Sequence, residues 1–386
     1  MKILDRYVLL SFLRNYLIAM MTLIGMFVVL DMVFNFDELV ELRGQAQGGA
    51  AISTFDVISS IADYYAHQCF YYFVFLSGII PVVAAAFTLI RMTRFNELSA
   101  ILAAGVPLLR VAAPIVIAAA VLQVLLIVDQ EVIIPRITHK LVRDRDRLSG
   151  TASGESRGYR IEMIQDDRGA LLTASRYFPP APDRPARMRE VDLIERDADL
   201  LPVAHVTADT AEFDASQQAW KLTNGRRVTG LQPELTRSPE EPVDDYKSNI
   251  TPDEIALWKS GDFVNLLSTE RINEMLARRT SYGALELQRV KHARFTQWIM
   301  NIILLLLAIP FVLVRQPQEL RNSILKCLVV VGVCMAGIFL AYQIAGRPPH
   351  GPQWVDRWPA IWAWVPILVF GPVALVLLDR LYTKAT

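Results

Sequence analysis

The feature that most limits how this chain can fold is a set of six uncharged apolar runs, three before residue 135 and three after residue 290. They occupy Asn15–Leu30, Gln68–Ile90, Val111–Val128, Phe295–Val314, Cys327–Gly346 and Trp358–Leu378. A helix needs about 20 apolar residues to cross the hydrocarbon core of a bilayer. Helices and closed barrels are the structures that satisfy every backbone group there. Barrel strands alternate polar and apolar residues, whereas these runs are continuous, so six transmembrane helices are expected. Lys2, Arg6 and Arg14 precede the first run as they would in a signal peptide, but no small-x-small cleavage site follows. That run reads as a retained helix.

Charge gives the orientation. Lys2, Arg6, Arg14, Arg91, Arg94, Arg110, Arg315, Arg321, Lys326, Arg380 and Lys384 fall on the side of the N-terminus. The short loops on the other side carry Arg43, Arg347 and Arg357. The positive-inside rule then puts both termini in the cytoplasm. Arg136, Lys140, Arg289, Lys291 and Arg294 count against this, but they flank a long segment, where the rule is weaker. With 39 basic and 39 acidic residues, there is no surplus to suggest nucleic-acid binding.

Residues 1–134 are expected to hold the first three spans, 135–290 an outer domain, and 291–386 the last three spans. The outer domain shows short alternating runs. Tyr159, Ile161 and Met163 share a face, Val191 and Leu193 flank Asp192, and Trp220 and Leu222 flank Lys221. Asn224-Gly225 is a hairpin signal before Arg226–Thr229. Thr251-Pro252-Asp253-Glu254 has the form of a capping box. Ser268 can cap a helix with Ile272, Met275 and Leu276 on one face. The fold class predicted is membrane α-helical, six helices in a 3+3 arrangement, with an inserted all-β, jellyroll-like domain.

Catalytic signatures are missing. There is no G-x-x-x-x-G-K-[ST] loop, no G-x-S-x-G element, and no spacing among the five histidines and three cysteines that suits a metal. Asp31 is the one acid expected inside a span. Work at the membrane would therefore draw its energy from a partner.

Between the second and third runs lies Arg91–Pro107, RMTRFNELSAILAAGVP. A short helix over about 93–105 is predicted, capped by Thr93, with Phe95, Leu98, Ile101 and Leu102 at helical spacing and Gly105 then Pro107 as the stop. Two readings are open. The stripe lies on the membrane with Glu97 solvated, or the helix docks in a groove of a soluble partner.

The chain resembles the LptF/LptG (YjgP/YjgQ) permease family of lipopolysaccharide export. The resemblance rests on the opening ILDRYVLLSFLRNY, on RFNELSAILAAGVPLLRV, on VTADTAEFDASQQAWKLTNGRRV, and on LELQRVKHARF with His292 and Arg294, in that order. It implies a bacterial inner-membrane protein with a periplasmic jellyroll. The implied partners are a cytosolic ABC ATPase dimer, a second permease of the family or another copy of the chain, periplasmic jellyroll bridge proteins, and lipopolysaccharide or a related lipid. No cofactor is implied on the chain itself; ATP binds the ATPase. Arg91, Arg94, Phe95, Glu97, Leu98, Leu102 and Gly105 would form the ATPase-coupling segment. Phe34, Trp220, Leu222, Gly332 and Gly337 are candidates for the lipid path. One departure stands out: family members carry bases near the outer end of the first helix, where this chain has Asp31, Asp37 and Glu38 and no base before Arg43. A partner subunit's cations, a bridging divalent ion, a different lipid and simple solvation are all open. A scaffold that displays the outer domain is the alternative from another functional class.

Overall fold

The fold was obtained as a computed structural model. It describes residues 3–34, 54–138, 158–166, 168–180, 184–197, 201–229, 240–248, 250–252, 255, 263–277, 284–313, 320–347 and 357–383. The expectations for Asp37, Glu38, Arg43, Asp253 and Glu254 lie outside the described residues.

Before the strands come α1 (Ile3–Phe34), α2 (Thr54–Leu76), α3 (Ile79–Arg94), a short α4 (Glu97–Ala103), and α5 (Leu108–Val128). A π-helical turn, Asp129–Ile133, extends α5, and helix continues to Thr138. After the strands come α6 (Phe263–Leu266), α7 (Thr269–Ala277), α8 (Ala284–Val312), α9 (Leu320–Ala345) and α10 (Trp358–Thr383). Among the described residues five helices are each long and apolar enough to cross a membrane, and a bent pair makes a sixth candidate.

The bent pair corrects the expected second span. The run Gln68–Ile90 is not one helix; Ile61–Leu76 and Ile79–Arg94 meet at 73° across Ser77-Gly78. Pro81 explains the break. In a continuous helix its ring would clash with the Ser77 carbonyl and leave that carbonyl without a donor. In the first turn of a new helix the missing N–H costs nothing.

At the centre of the bundle lies α8. Its Leu304, Leu305, Leu307, Ala308 and Ile309 are buried together with Val8 and Phe12 of α1, Ile80 and Leu89 of α3, and Val111 and Ile115 of α5. α9 and α10 pack on α8, and their outer faces expose Leu325, Leu328, Val333, Leu368 and Leu375. Apolar surface of that extent belongs against lipid or another protein.

The strands are β1 (Tyr159–Gln165), β2 (Leu171–Phe178), β3 (Arg187–Arg196), β4 (Pro202–Asp214), β5 (Ala219–Thr223), β6 (Arg226–Thr229), β7 (Glu240–Pro242) and β8 (Asp245–Lys247). All described pairings are antiparallel, in the order β1-β2-β3-β4-β5-β8, with β6 on β4 and β7 on β6. The described strands thus form a sequential meander rather than the interleaved order of two Greek keys. Across β2, β3 and β4 two successive residues turn away from the core at one level: Ser175-Arg176, Arg189-Glu190 and Asp209-Thr210. Ala174, Val191 and Ala208 lie inward on one side of that crease, and Tyr177, Met188 and Ala211 on the other. The crease lets one sheet curl around a single core.

Two local expectations are overturned. Asn224-Gly225 does not make a hairpin. β5 pairs with Thr210–Asp214 and β6 with Ala204–Thr207, so they are successive pieces of one line opposite β4. Asn224 takes the left-handed conformation at φ 55°, and the chain around Val243 is packed against Gly225. Met163 does not share the inward face of Ile161. A register shift after Ile161 puts Ile164 in the core and leaves Met163 exposed. The Ser268 cap forms: its hydroxyl accepts from the Arg271 N–H at 3.2 Å, and Ile272 and Met275 are buried.

Candidate functional site

Where α3 leaves the bundle, Arg91 and Arg94 occupy its last turn, facing the negative end of the helix dipole. The expected cap is corrected here. Thr93 is inside α3, buried, and its hydroxyl donates to the Leu89 carbonyl at 3.0 Å. α3 closes through Phe95 N–H to Arg91 O at 3.0 Å and Asn96 N–H to Thr93 O at 3.1 Å. Asn96 then turns the chain at φ 56°, a conformation that asparagine tolerates. α4 starts at Glu97, four residues later than the sequence suggests.

α4 ends in a Schellman arrangement. Gly105 N–H donates to Leu102 O at 2.9 Å and Val106 N–H to Ile101 O at 3.3 Å. Gly105 has φ 75°, which explains the glycine. These bonds satisfy two of the carbonyls that the end of this seven-residue helix leaves open.

Side chains divide the segment into an anchor and a free face. Leu98 is fully buried in the core of the helix bundle, and Ile101 and Leu102 pack against that core. Leu98 therefore seats α4 against the bundle rather than lying on its exposed face. Glu97 accepts a hydrogen bond from the Tyr7 hydroxyl at 2.8 Å, tying α4 to the start of α1. The opposite face offers Arg94, Phe95, Ser99, Ala100 and Ala103, all exposed, with Phe95 at 65 %. An aromatic knob between a guanidinium and small residues can enter a groove and allow close backbone approach.

The lipid-path candidates do not come together. Phe34 ends α1 and is exposed. Trp220 is buried in the β core, its indole N–H donating to Ile250 O at 2.8 Å, with Leu222 packed beside it. Gly337 sits against Phe370 of α10: an added Cβ would lie 2.9 Å from that ring. A Cβ on Gly332 would meet nothing within 4 Å. Gly337 is thus explained by helix packing within the chain, while Gly332 leaves a bare stretch on α9.

The sequence reading missed a set of buried and half-buried polar groups. Gln297 Nε2 donates to Val74 O at 3.1 Å and Ser77 Oγ at 3.2 Å, and Asn301 Nδ2 donates to Ser77 Oγ at 3.1 Å and Gln123 Oε1 at 3.0 Å. Gln130 Nε2 donates to Gln297 Oε1 at 2.9 Å. Asp129, which follows the third apolar run, is buried, and among the described residues neither carboxylate oxygen has a hydrogen-bond partner. Asp31 is therefore not alone, and it is itself partnered by the Tyr65 hydroxyl at 3.2 Å.

A joint links the bundle to the segment that returns from the sheet. Arg294 of α8 donates to Leu267 O at 2.6 Å, Asn265 O at 2.5 Å and Val264 O at 3.4 Å, and lies 3.9 Å from Glu131. Glu131 accepts from the Thr269 N–H at 2.9 Å and from its hydroxyl.

Compared with models of known protein families, the chain matches the one described as lipopolysaccharide export system permease LptF/LptG, over residues 6–380. Among curated proteins none matches. Nearly the whole chain is covered, with apolar helices on both sides of an antiparallel β domain. The chain is a membrane protein of the LptF/LptG family of lipopolysaccharide export permeases.

Proposed function

We propose that this chain is one permease half of an ATP-driven exporter, taking lipopolysaccharide from the inner membrane and passing it along the β domain to a periplasmic jellyroll bridge. Both termini and α4 face the cytosol; the β domain faces the periplasm. Hydrolysis takes place on a separate ATPase dimer, and the second permease is a family member or another copy. Phe95 and Arg94 meet the ATPase, while Leu98 and the Tyr7–Glu97 bond carry its movement into α3 and α1. The observation that carries this reading is the division of the segment from Arg94 to Ala103 into an anchor, Leu98 buried with the Tyr7–Glu97 bond beside it, and an exposed face with Arg94 and Phe95 at the end of α3, in a chain of this family.

Two of the five bases that count against this orientation have structural roles: Arg289 is ion-paired with Glu286 and lies 4.2 Å over the Tyr342 ring, and Arg294 holds the joint.

The test is purification of the full chain with its cytosolic partners from membranes. Phe95→Ala with Arg94→Ala should lose a P-loop ATPase that the unaltered chain retains. Glu97→Gln and Tyr7→Phe should keep the ATPase but weaken its stimulation by lipid. Recovery and stimulation unaffected by all four changes would defeat the coupling role and favour the scaffold. A second reading, export of a different envelope lipid, is favoured by Asp31, an anion where phosphate would pass. Mass spectrometry of the co-purifying lipid decides between them.

A further inference from the structure

The broken second span carries an inference about how α4 is aimed. Breaking a helix frees backbone acceptors, and in a bundle surrounded by lipid each must find a protein donor. Here the freed Val74 carbonyl receives the Ser77 hydroxyl at 2.8 Å and the Gln297 amide. Ser77 Oγ in turn receives Gln297 and Asn301. Gln123 and Gln130 hold these two amides from the side of α5. Asn301 Oδ1 sits over Gly78, so close that a Cβ there would lie 2.7 Å away. Ser77, Gln123, Gln130 and Asn301 are all buried. The polar clamp thus closes on the two residues where α2 ends and α3 begins.

We propose that Gln297 and Asn301 are positioning residues that set the angle of α3 about Ser77-Gly78, making α3 and α4 one lever with discrete settings. α3 joins α4 through two residues, Phe95 and Asn96, with Leu98 anchored in the same core. A change of angle at Ser77-Gly78 must exchange amide partners rather than stretch them, because an amide away from water is costly to leave without a partner. That favours switching between paired arrangements over continuous bending. A 16-residue rod is about 24 Å long. A turn of about 20° at its foot displaces its far end by roughly 8 Å. The lever rests on the reading of α4 as the driven element; the hinge does not.

The test is electron-spin distance measurement on the full chain in lipid nanodiscs, with Cys69, Cys327 and Cys334 replaced and labels at Ala66 on α2 and Ser99 on α4. The unaltered hinge should give one narrow distance. Gln297→Leu with Asn301→Leu should shift or split it by several ångströms, on the scale of the lever displacement. Gly78→Ala, which displaces Asn301 without deleting a hydrogen-bonding group, should do the same and serves where the double variant fails to fold. Asn15→Leu with Thr88→Val removes another polar pair, 2.8 Å apart, between α1 and α3, and should leave the distance unmoved. Unmoved distances in the clamp variants, or equal shifts in the Asn15 and Thr88 variant, would overturn the hinge. A shifted distance with no ATPase recovered by the unaltered chain would keep the hinge and defeat the coupling reading.

Discussion

Removing Arg294 should loosen the joint between the bundle and the segment that returns from the sheet. Its guanidinium makes hydrogen bonds to three carbonyls, two in α6 and one in the turn before α7, and its side chain is 10 % exposed. Hydrogen bonds to a charged group contribute about 1.5–3 kcal/mol each, and they do not add. Removing one side of a buried charged arrangement costs about 3–5 kcal/mol, because the groups left behind are stranded. Arg294→Met keeps much of the apolar stem and strands the three carbonyls and, in part, Glu131. Taking the lower figure, about 3 kcal/mol is somewhat more than a hundredfold in the opening constant of the joint. Amide hydrogen exchange reads that constant locally. Amides of Ile272 to Leu276 should exchange roughly a hundredfold faster in the variant, while those in the middle of α9 stay as they were. Arg294→Lys should recover only part of the protection, since an ammonium cannot present the planar fork that reaches three acceptors. Unchanged exchange at Ile272 to Leu276 in Arg294→Met would refute the claim that this side chain holds the linker to the bundle.

Two further outcomes are expected in the β domain. Gly225→Ala places a Cβ 2.0 Å from the Val243 carbonyl oxygen, a backbone atom with little freedom to move, and should destabilise the domain by about 1–3 kcal/mol in thermal or chemical melts. A melt equal to the unaltered chain would mean that the β5–β6 line is not pressed against Val243. Asp214 is 2.7 Å from Lys221, whose hydrogen bond, with those from Ser216, holds its carboxyl well below the usual carboxylate range. A depressed folded value means stabilisation present above the unfolded value, about 3.9, and lost as pH falls toward the folded one. The gap in melting temperature between Asp214→Asn and the unaltered chain should therefore be open at neutral pH and close in strong acid; a gap that does not narrow would contradict the pairing.

The apolar runs, the Gly105 stop, the Ser268 cap and the inward Val191 and Leu193 were legible because each is a local signal read over a few residues. The hinge was half legible. Pro81 interrupts the second run, but in a segment apolar on every side no periodicity marks where one helix ends and the next starts. The clamp was illegible, since Ser77 and Asn301 stand 224 positions apart and single amides in apolar runs look incidental. Asn224-Gly225 misled for a different reason. The pair reports a left-handed residue, and Asn224 is one, but it does not report which strand lies alongside. The place of Leu98 was open because apolar spacing on a short helix says which residues share a face and not what covers it. The bulge at Met163 breaks an alternation that the sequence displays as regular.

Arg294, Gln297 and Asn301 stand three and then four residues apart on α8. At about 100° per residue they fall along one flank of that rod. The same flank therefore grips the tether to the β domain at one level and the kink beneath Ser77 at the next. α8 cannot roll about its own axis without loosening both grips together, so whatever free energy separates two settings of the kink is shared, by linkage, with the seating of the tether.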